Sequence, residues 1–329
     1  MNACDSVPGK EDMLRLFYAM LRIRLVEEAI VSYYPEQEIR CPVHLSIGQE
    51  AVSVGVCANL GIKDYVLSNH RSHGQYLAKG GNLIAMISEI FGKVDGCTKG
   101  KGGSMHLIDL KVSFLGAVPI VGSTIPIAAG VALGTLMKGE KKITTVFFGD
   151  GTIEEGVFHE TLNFAALKKL PLLFVCENNL YSVYSPLSVR QPANREIVSI
   201  ARGHGIESYQ VDGNNVLEVY HLTQKALEII NQSGGPVFLE FSTYRWREHC
   251  GPNYDNTIGY RTEEEFLLWK EQCPIERFKR YLVQQKMLNS NVVEDMSREI
   301  QKEIKNAIYV AKKSDFPKKE ELLEDIYAK

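Results

Sequence analysis

Two short apolar runs, Ile143–Phe148 and Leu172–Cys176, flank a stretch with helical spacing at Glu154–Lys169. This order predicts a βαβ unit, because runs of that length are typical of buried parallel strands and the chain must cross between them. Gly149-Asp150-Gly151 ends the first run, and Asn178-Asn179 ends the second. The carboxyl ends of parallel strands share one edge of a sheet, where open α/β sheets bind ligands. The pattern therefore predicts an α/β fold with a carboxylate and an amide at its binding edge.

Other segments extend this unit into a parallel sheet flanked by helices. Glu11–Tyr33 and Ser123–Met137 have helical spacing, and Pro236–Tyr244 is typical of a third buried strand. A Gly-rich region from Pro42 to Gly122 is predicted to be mostly loops, with two short helices.

The chain shows no internal repeat and no low-complexity linker, so we expect residues 1–329 to form one domain. An N-terminal helix is expected within residues 1–35. A helical C-terminal extension is expected at residues 262–329, where Thr262 and Glu265 form a capping-box signature.

Composition narrows the classes of function. The 329 residues are 45% apolar and 23% charged with a net charge of −3, which gives no basic surface for nucleic acid or an anionic membrane. No apolar stretch approaches the roughly 18 residues of a membrane span, and no secretory signal is visible. The seven cysteines are odd in number and form no CxxC, which indicates a reducing, cytoplasmic location.

Asp150 and Asn179 offer the oxygen ligands that suit Mg²⁺, an ion usually held by few protein ligands plus substrate phosphates. A lone Gly-Asp-Gly is more often a plain turn. Combined with Asn178-Asn179 at this distance, however, it resembles the thiamine-diphosphate-binding motif.

Three other clusters carry polar chemistry. Asn69–Gly74 combines an arginine with two histidines, although by itself such a cluster is more often a surface loop with solvent-exposed polar side chains. Lys99–His106 is Gly-rich and can cradle a phosphate or be a structural loop. In Tyr244–Cys250, Arg245 suits either a phosphate or an interdomain ion pair, and His249 either a reaction centre or a buried histidine.

Together these clusters resemble the α subunit of the two-subunit thiamine-diphosphate-dependent dehydrogenases, the E1 components that act on 2-oxo acids or acetoin. The match runs in order from about Leu14 to Tyr327. Its strongest segments are HLSIGQEA (His44–Ala51), HRSHG (His70–Gly74), GKGGSMH (Gly100–His106), GDG to ENN (Gly149–Asn179) and GYRTEEE (Gly259–Glu265).

The resemblance implies thiamine diphosphate and Mg²⁺ as cofactors, and it implies a role for individual residues. The implied metal ligands are Asp150, Asn179 and the main-chain carbonyl of Tyr181. The implied cofactor-binding residues are His70, Arg71, Pro119, Val121, Gly149, Asp150, Gly151, Thr152, Asn179, Tyr181 and Arg245. His73 and His249 are expected to face the thiazolium and the substrate as catalytic residues.

It also implies that this chain supplies half of an active site. In this family a β subunit provides the glutamate that activates the cofactor, usually in an α₂β₂ assembly. The acyl unit from the 2-oxo acid or acetoin then passes to a lipoyl acyltransferase. A carboligase built from the same α/β pair, and a non-catalytic scaffold subunit, are the alternatives.

Three departures from the family pattern concern the substrate pocket, the charge near the metal and regulation. Cys41-Pro42 replaces a usual Gly-Phe, which suggests an altered pocket rim. Glu154-Glu155 adds acidic charge near the metal and is expected to face a cation or solvent. Cys250 stands where regulated relatives carry a phosphorylatable serine, so phosphorylation there is not expected.

Overall fold

A computed structural model describes residues 8–324, apart from the side chain of Ser233. Its centre is a six-stranded parallel sheet with the strand order β2-β1-β3-β4-β8-β7. The sheet strands are β1 Tyr65–Ser68, β2 Phe114–Ala117, β3 Thr144–Gly149, β4 Leu172–Asn178, β7 Glu207–Asp212 and β8 Val237–Ser242. A separate antiparallel hairpin joins β5 Tyr181–Ser182 and β6 Ser185–Pro186.

The predicted α/β fold is confirmed, and the three apolar runs are β3, β4 and β8. The Gly-rich region is more regular than expected, since it also supplies β1 and β2. Both are only four residues long, too short for a clear alternation of apolar and polar residues.

Helices surround the sheet. They are α1 Lys10–Tyr33, α2 Glu50–Cys57, α3 His73–Ala78, α4 Leu83–Ile90, α5 Thr124–Met137, α6 Gly156–Lys168, α7 Leu187–Arg190, α8 Ile197–Gly203, α9 Val216–Ser233, α10 Glu263–Glu271, α11 Pro274–Gln284 and α12 Ser290–Lys313. Within residues 8–324, no helix has both the length and the apolar character needed to cross a membrane. The predicted N-terminal and C-terminal helical regions partly fall on residues 1–7 and 325–329, outside the described residues.

The sheet separates two apolar cores, because successive strand residues point to opposite faces. In β3, Phe147 faces one core and its neighbours Val146 and Phe148 face the other. Helices α5, α6 and α8 cover the second face, while α1, α2, α4 and α9 cover the first. The C-terminal helices also belong to the first core, where Leu282 and Ile304 are buried with Phe17 of α1. The extension is thus an integral part of this layer.

Candidate active site

A cavity opens at the carboxyl ends of β1, β2, β3 and β4. Because these strands are parallel, the loops that follow them converge at this edge of the sheet. The residues predicted from the sequence that line the cavity are His70, Arg71, Pro119, Val121, Gly149, Asp150, Gly151, Thr152, Asn179, Tyr181 and His249. The structure therefore brings together all the predicted site residues except His73 and Arg245.

One part of the cavity, here the acid–amide end, consists of Asp150, Thr152, Glu177, Asn179 and Tyr181. Asp150 begins a 3₁₀ turn directly after β3, so the free first amides of that turn lie at the cavity. The Asn179 side-chain amide donates to Gln49 Oε1 at 2.9 Å, and the Tyr181 amide donates to Asn179 Oδ1 at 3.2 Å. These bonds fix the orientation of Asn179.

Arg190, from the short helix α7, neutralises this end. Its guanidinium donates to the Asp150 carboxylate and, at 2.6 Å, to Glu154 Oε1. Burial raises the pKa of Asp150, and Arg190 opposes that shift. Glu154 thus faces a cation, as expected from the sequence.

Glu177 is a second buried carboxyl group at the same end. Its two oxygens accept from the Gln75 side-chain amide at 3.0 and 2.9 Å. Burial raises the pKa of Glu177 to about 8, against the opposing effect of Arg71. This carboxyl group therefore remains largely protonated at neutral pH.

The opposite part of the cavity, here the imidazole end, consists of His44, His70 and His249. Their ring centroids lie 4.7 Å (His44–His70), 5.0 Å (His44–His249) and 5.3 Å (His70–His249) apart. Arg71 joins the segments that carry them, because its guanidinium donates to the carbonyls of Leu45 and His249. Burial, reinforced by the Arg71 cation, lowers the pKa to about 2 for His44 and about 3 for His70 and His249. All three rings are therefore neutral at pH 7.

The structure places His73 and Arg245 behind the cavity wall, contrary to the expectation that they face it. His73 is fully buried, with Nδ1 3.1 Å from Glu27 Oε1 and Nε2 2.7 Å from Ser104 Oγ. Arg245 is 1% exposed and donates to the Tyr260 hydroxyl at 2.8 Å. Buried partners thus engage both ring nitrogens of His73 and both terminal nitrogens of Arg245, groups that were expected to meet ligand.

The Gly-rich loop Lys99–His106 is a structural loop. The Glu89 carboxylate accepts from four backbone amides within and just before this loop at 2.8 to 2.9 Å, those of Thr98, Gly100, Gly102 and Gly103. An internal carboxylate thus occupies the amides that a phosphate would need. The loop still reaches the site, since Met105 lines the cavity.

The departure at Cys41-Pro42 lies outside the cavity lining of this chain. Instead, the Cys41 thiol accepts from the Ser104 amide at 3.2 Å, on the side of the loop that carries the partner of His73. An altered pocket rim at this position therefore stays a prediction.

Four side chains described at the site were missed from the sequence: His44, Gln49, Glu177 and Arg190. His44 and Gln49 belong to the segment HLSIGQEA, so the resemblance contained the signal although no role was assigned to them. Arg190 carries no comparable signal, because nothing in its local sequence indicates that α7 folds back onto Asp150.

The residues present fit Mg²⁺ and a diphosphate. A carboxylate, an amide oxygen and a main-chain carbonyl are the hard oxygen ligands that Mg²⁺ favours. A Cβ on Gly151 would lie 2.6 Å from Ser182 Oγ, so the turn requires glycine there. Among the described residues, the buried Gln49 Nε2 has no hydrogen-bond partner, a donor left available beside Asn179.

A parallel α/β sheet with this Gly-Asp-Gly turn and Asn179 at adjacent strand ends defines the class of thiamine-diphosphate-binding enzymes. The family model described as "Dehydrogenase E1 component" matches residues 18–320. The chain therefore belongs to the dehydrogenase E1 component family, which depends on thiamine diphosphate.

The sequences of curated relatives align with nearly the whole chain. The α subunit of acetoin:2,6-dichlorophenolindophenol oxidoreductase from Bacillus subtilis is 38% identical over 97% of this chain and 94% of its own length. The pyruvate dehydrogenase E1 α subunit of Rickettsia typhi is 33% identical over 97% of each chain. The mitochondrial pyruvate dehydrogenase E1 subunit alpha-1 of Oryza sativa is 36% identical over 99% of this chain and 82% of its own.

Proposed function

We propose that this chain is the α subunit of a Mg²⁺- and thiamine-diphosphate-dependent E1 enzyme. It would cleave a 2-oxo acid or acetoin and transfer the acyl unit to a lipoyl group. The observation that carries the proposal is the convergence of Asp150, Asn179 and Tyr181 in one cavity at the ends of β3 and β4. The names of the acetoin and pyruvate relatives support this substrate class.

The acid–amide end would hold the metal and the diphosphate. Asp150, Asn179 and the Tyr181 carbonyl would bind Mg²⁺, and the amides of Gly151 and Thr152 would donate to phosphate oxygens. Further contacts are proposed for Gly149, His70, Arg71, Val121 and Pro119. Pro119 can accept a hydrogen bond at its carbonyl but has no N–H to donate.

Bound thiamine diphosphate supplies an ylid that stabilises carbanion chemistry. His249 lines the cavity, and we propose it as a general acid/base; its pKa, about 3 in the cofactor-free chain, would have to rise towards neutrality in the complete site for the ring to hold a proton. His73 is held away from the cavity by Glu27 and Ser104, and we assign it a positioning role for the loop that carries Met105.

A second chain would complete the site. Ile120 and Val121, beside the cavity, are 70% and 44% exposed, an apolar rim that suits coverage by a β subunit. An α₂β₂ assembly, a lipoyl acyltransferase partner, a single domain over residues 1–329 and a cytoplasmic location complete the proposal.

The carboligase alternative has no support. It rested on Cys41-Pro42 as a pocket rim and on Glu154-Glu155 beside the metal. Cys41 and Pro42 lie outside the cavity lining, and Glu154 is paired with Arg190.

Calorimetric titration of the chain, mixed with its β partner, tests the cofactor site. Thiamine diphosphate should bind only with Mg²⁺, and Asp150→Ala should weaken that binding at least about 100-fold, since even an outer-shell partner contributes 10- to 100-fold. Glu155→Ala, a change at a neighbouring exposed carboxylate, should bind normally. Magnesium-independent binding in the unmodified protein would contradict the assignment.

Product analysis tests the reaction. With pyruvate or acetoin, CoA and a lipoyl acyltransferase system, the α/β pair should support NADH formation. Acyloin formation as the main reaction, with no transfer to the lipoyl partner, would contradict it.

A further inference from the structure

We propose that His44, His70 and His249 form a binding site for a divalent transition metal such as Zn²⁺. This site is distinct from the magnesium site proposed at Asp150 and Asn179. Each histidine offers one ring nitrogen, and these three atoms lie within 4.8 Å of one another. The three side chains come from separate segments of the chain and meet at the imidazole end of the cavity.

The spacing of the rings fits one ion. A tetrahedral zinc ion about 2.0–2.1 Å from each nitrogen places the ligand nitrogens roughly 3.4 Å apart and the ring centres about 5 Å apart. The observed ring centres are 4.7, 5.0 and 5.3 Å apart. Their planes are inclined by 64°, 83° and 61°, so the rings do not stack. The nitrogens, which lie within 4.8 Å of one another, would have to approach to roughly 3.4 Å around a bound ion.

An unsatisfied buried atom independently points to a ligand. His44 is 6% exposed, and its Nδ1 has no hydrogen-bond partner among residues 8–324. Buried polar atoms are nearly always paired, so such an atom requires an explanation.

The donor type selects the metal class. Imidazole suits Zn²⁺, Cu²⁺ and Ni²⁺, whereas Mg²⁺ takes oxygen ligands, so the two ends of the cavity would hold different ions. Three protein ligands with a fourth position open to the cavity are the arrangement of zinc sites that also bind water or substrate. The Arg71 cation opposes any metal here and limits its affinity.

A metal ion bound at this site would coordinate a ring nitrogen of His249. If His249 acts as the general acid/base, the metal would therefore inhibit turnover, and this consequence alone rests on the proposed function.

Cobalt(II) is a suitable probe, because tetrahedral nitrogen ligation gives strong visible absorption while octahedral oxygen ligation gives weak absorption. The full chain, with and without its β partner, should bind one Co²⁺ with strong bands, and Zn²⁺ should displace it. His70→Phe and His44→Phe should each weaken binding by at least about 10-fold, no less than the loss of an outer-shell partner. His204→Asn, which alters the separate His159–His204 pair, should leave the spectrum unchanged.

Asp150→Ala separates the two metal sites. The strong bands should persist in this variant even though magnesium-dependent cofactor binding fails. Absence of strong bands in the unmodified protein, their loss in Asp150→Ala, or their persistence in a folded His70→Phe variant would overturn the proposal. Anomalous diffraction at the zinc edge from the unmodified protein locates the ion without any variant, and an ion away from the three rings would also refute it.

Discussion

The two ends of the cavity differ in their chemistry and in how the chain assembles them. The acid–amide end comes from β3, β4 and the residues directly after them, so its side chains are close in sequence and fixed by the sheet. The imidazole end comes from three distant segments at residues 44, 70 and 249, joined through Arg71. Strand geometry brings the first end together and tertiary hydrogen bonds from Gln49 and Arg190 complete it, whereas the second end is assembled only from distant segments.

The electrostatics of the two ends are also opposite. Burial raises the pKa of the carboxyl groups Asp150 and Glu177, and it lowers the pKa of the three histidines. In both cases the neutral form is favoured, because a charge is poorly solvated inside the protein. The charges that remain are the ion pair of Arg190 with Asp150 at one end and the Arg71 guanidinium, held by two carbonyls, at the other.

The largest expected effect comes from Glu27, which supports the imidazole end from behind. Its carboxylate is fully buried and accepts from the Ser46 amide at 2.9 and 3.0 Å and contacts His73 at 3.1 Å. Glu27→Ala should lower the free energy of unfolding by about 3–5 kcal/mol, since it breaks a buried ionic and hydrogen-bonded group. Urea denaturation measures this change.

Glu28→Ala is the matched control, because the neighbouring side chain is 37% exposed in its pair with Arg247. It should cost about 0–1 kcal/mol. In Glu27→Ala, binding at the acid–amide end should survive under conditions where the protein remains folded. Equal losses for the two glutamates, or loss of magnesium binding in folded Glu27→Ala, would break the contrast between the ends.

The difference in how the two ends are assembled explains which parts of the site the sequence could predict. The sheet core and Asp150 with Asn179 follow from apolar runs and the residues after them. The locations of His73 and Arg245 could not be predicted, because motif membership does not reveal that Glu27, Ser104 and Tyr260 engage these side chains behind the cavity.

The stability contributions of the two ends should depend on pH with opposite signs. The folded-state pKa of His70, about 3, lies below its usual 6.5, so its contribution to stability is present above pH 6.5 and lost as pH falls towards 3. The folded-state pKa of Glu177, about 8, lies above its usual 4.5, so its contribution is present below pH 4.5 and lost as pH rises towards 8.

His70→Phe should therefore flatten the loss of stability between pH 6.5 and 4.5. Glu177→Gln should stabilise the protein increasingly from pH 5 to 8. Each change of slope is at most about 1.4 kcal/mol per pH unit, the value of one proton. Urea unfolding of the cofactor-free chain at several pH values measures both slopes, and slopes that shift in the same direction would contradict the opposite electrostatics.

The smallest expected effect is at Glu154, which shares Arg190 with Asp150. Its side chain is 31% exposed, so water already screens the pair, and Glu154→Gln keeps an acceptor oxygen for the guanidinium. The variant should lose only about 0.5–1 kcal/mol of unfolding free energy, and Glu155→Gln, at an exposed side chain with no ion pair described within residues 8–324, should change less. Thermal denaturation of both variants measures the difference. If Glu154→Gln lost as much unfolding free energy as Glu27→Ala, the stability of the acid–amide end would also depend on a tertiary ion pair. The strand ends alone would then not suffice to hold Asp150 in place.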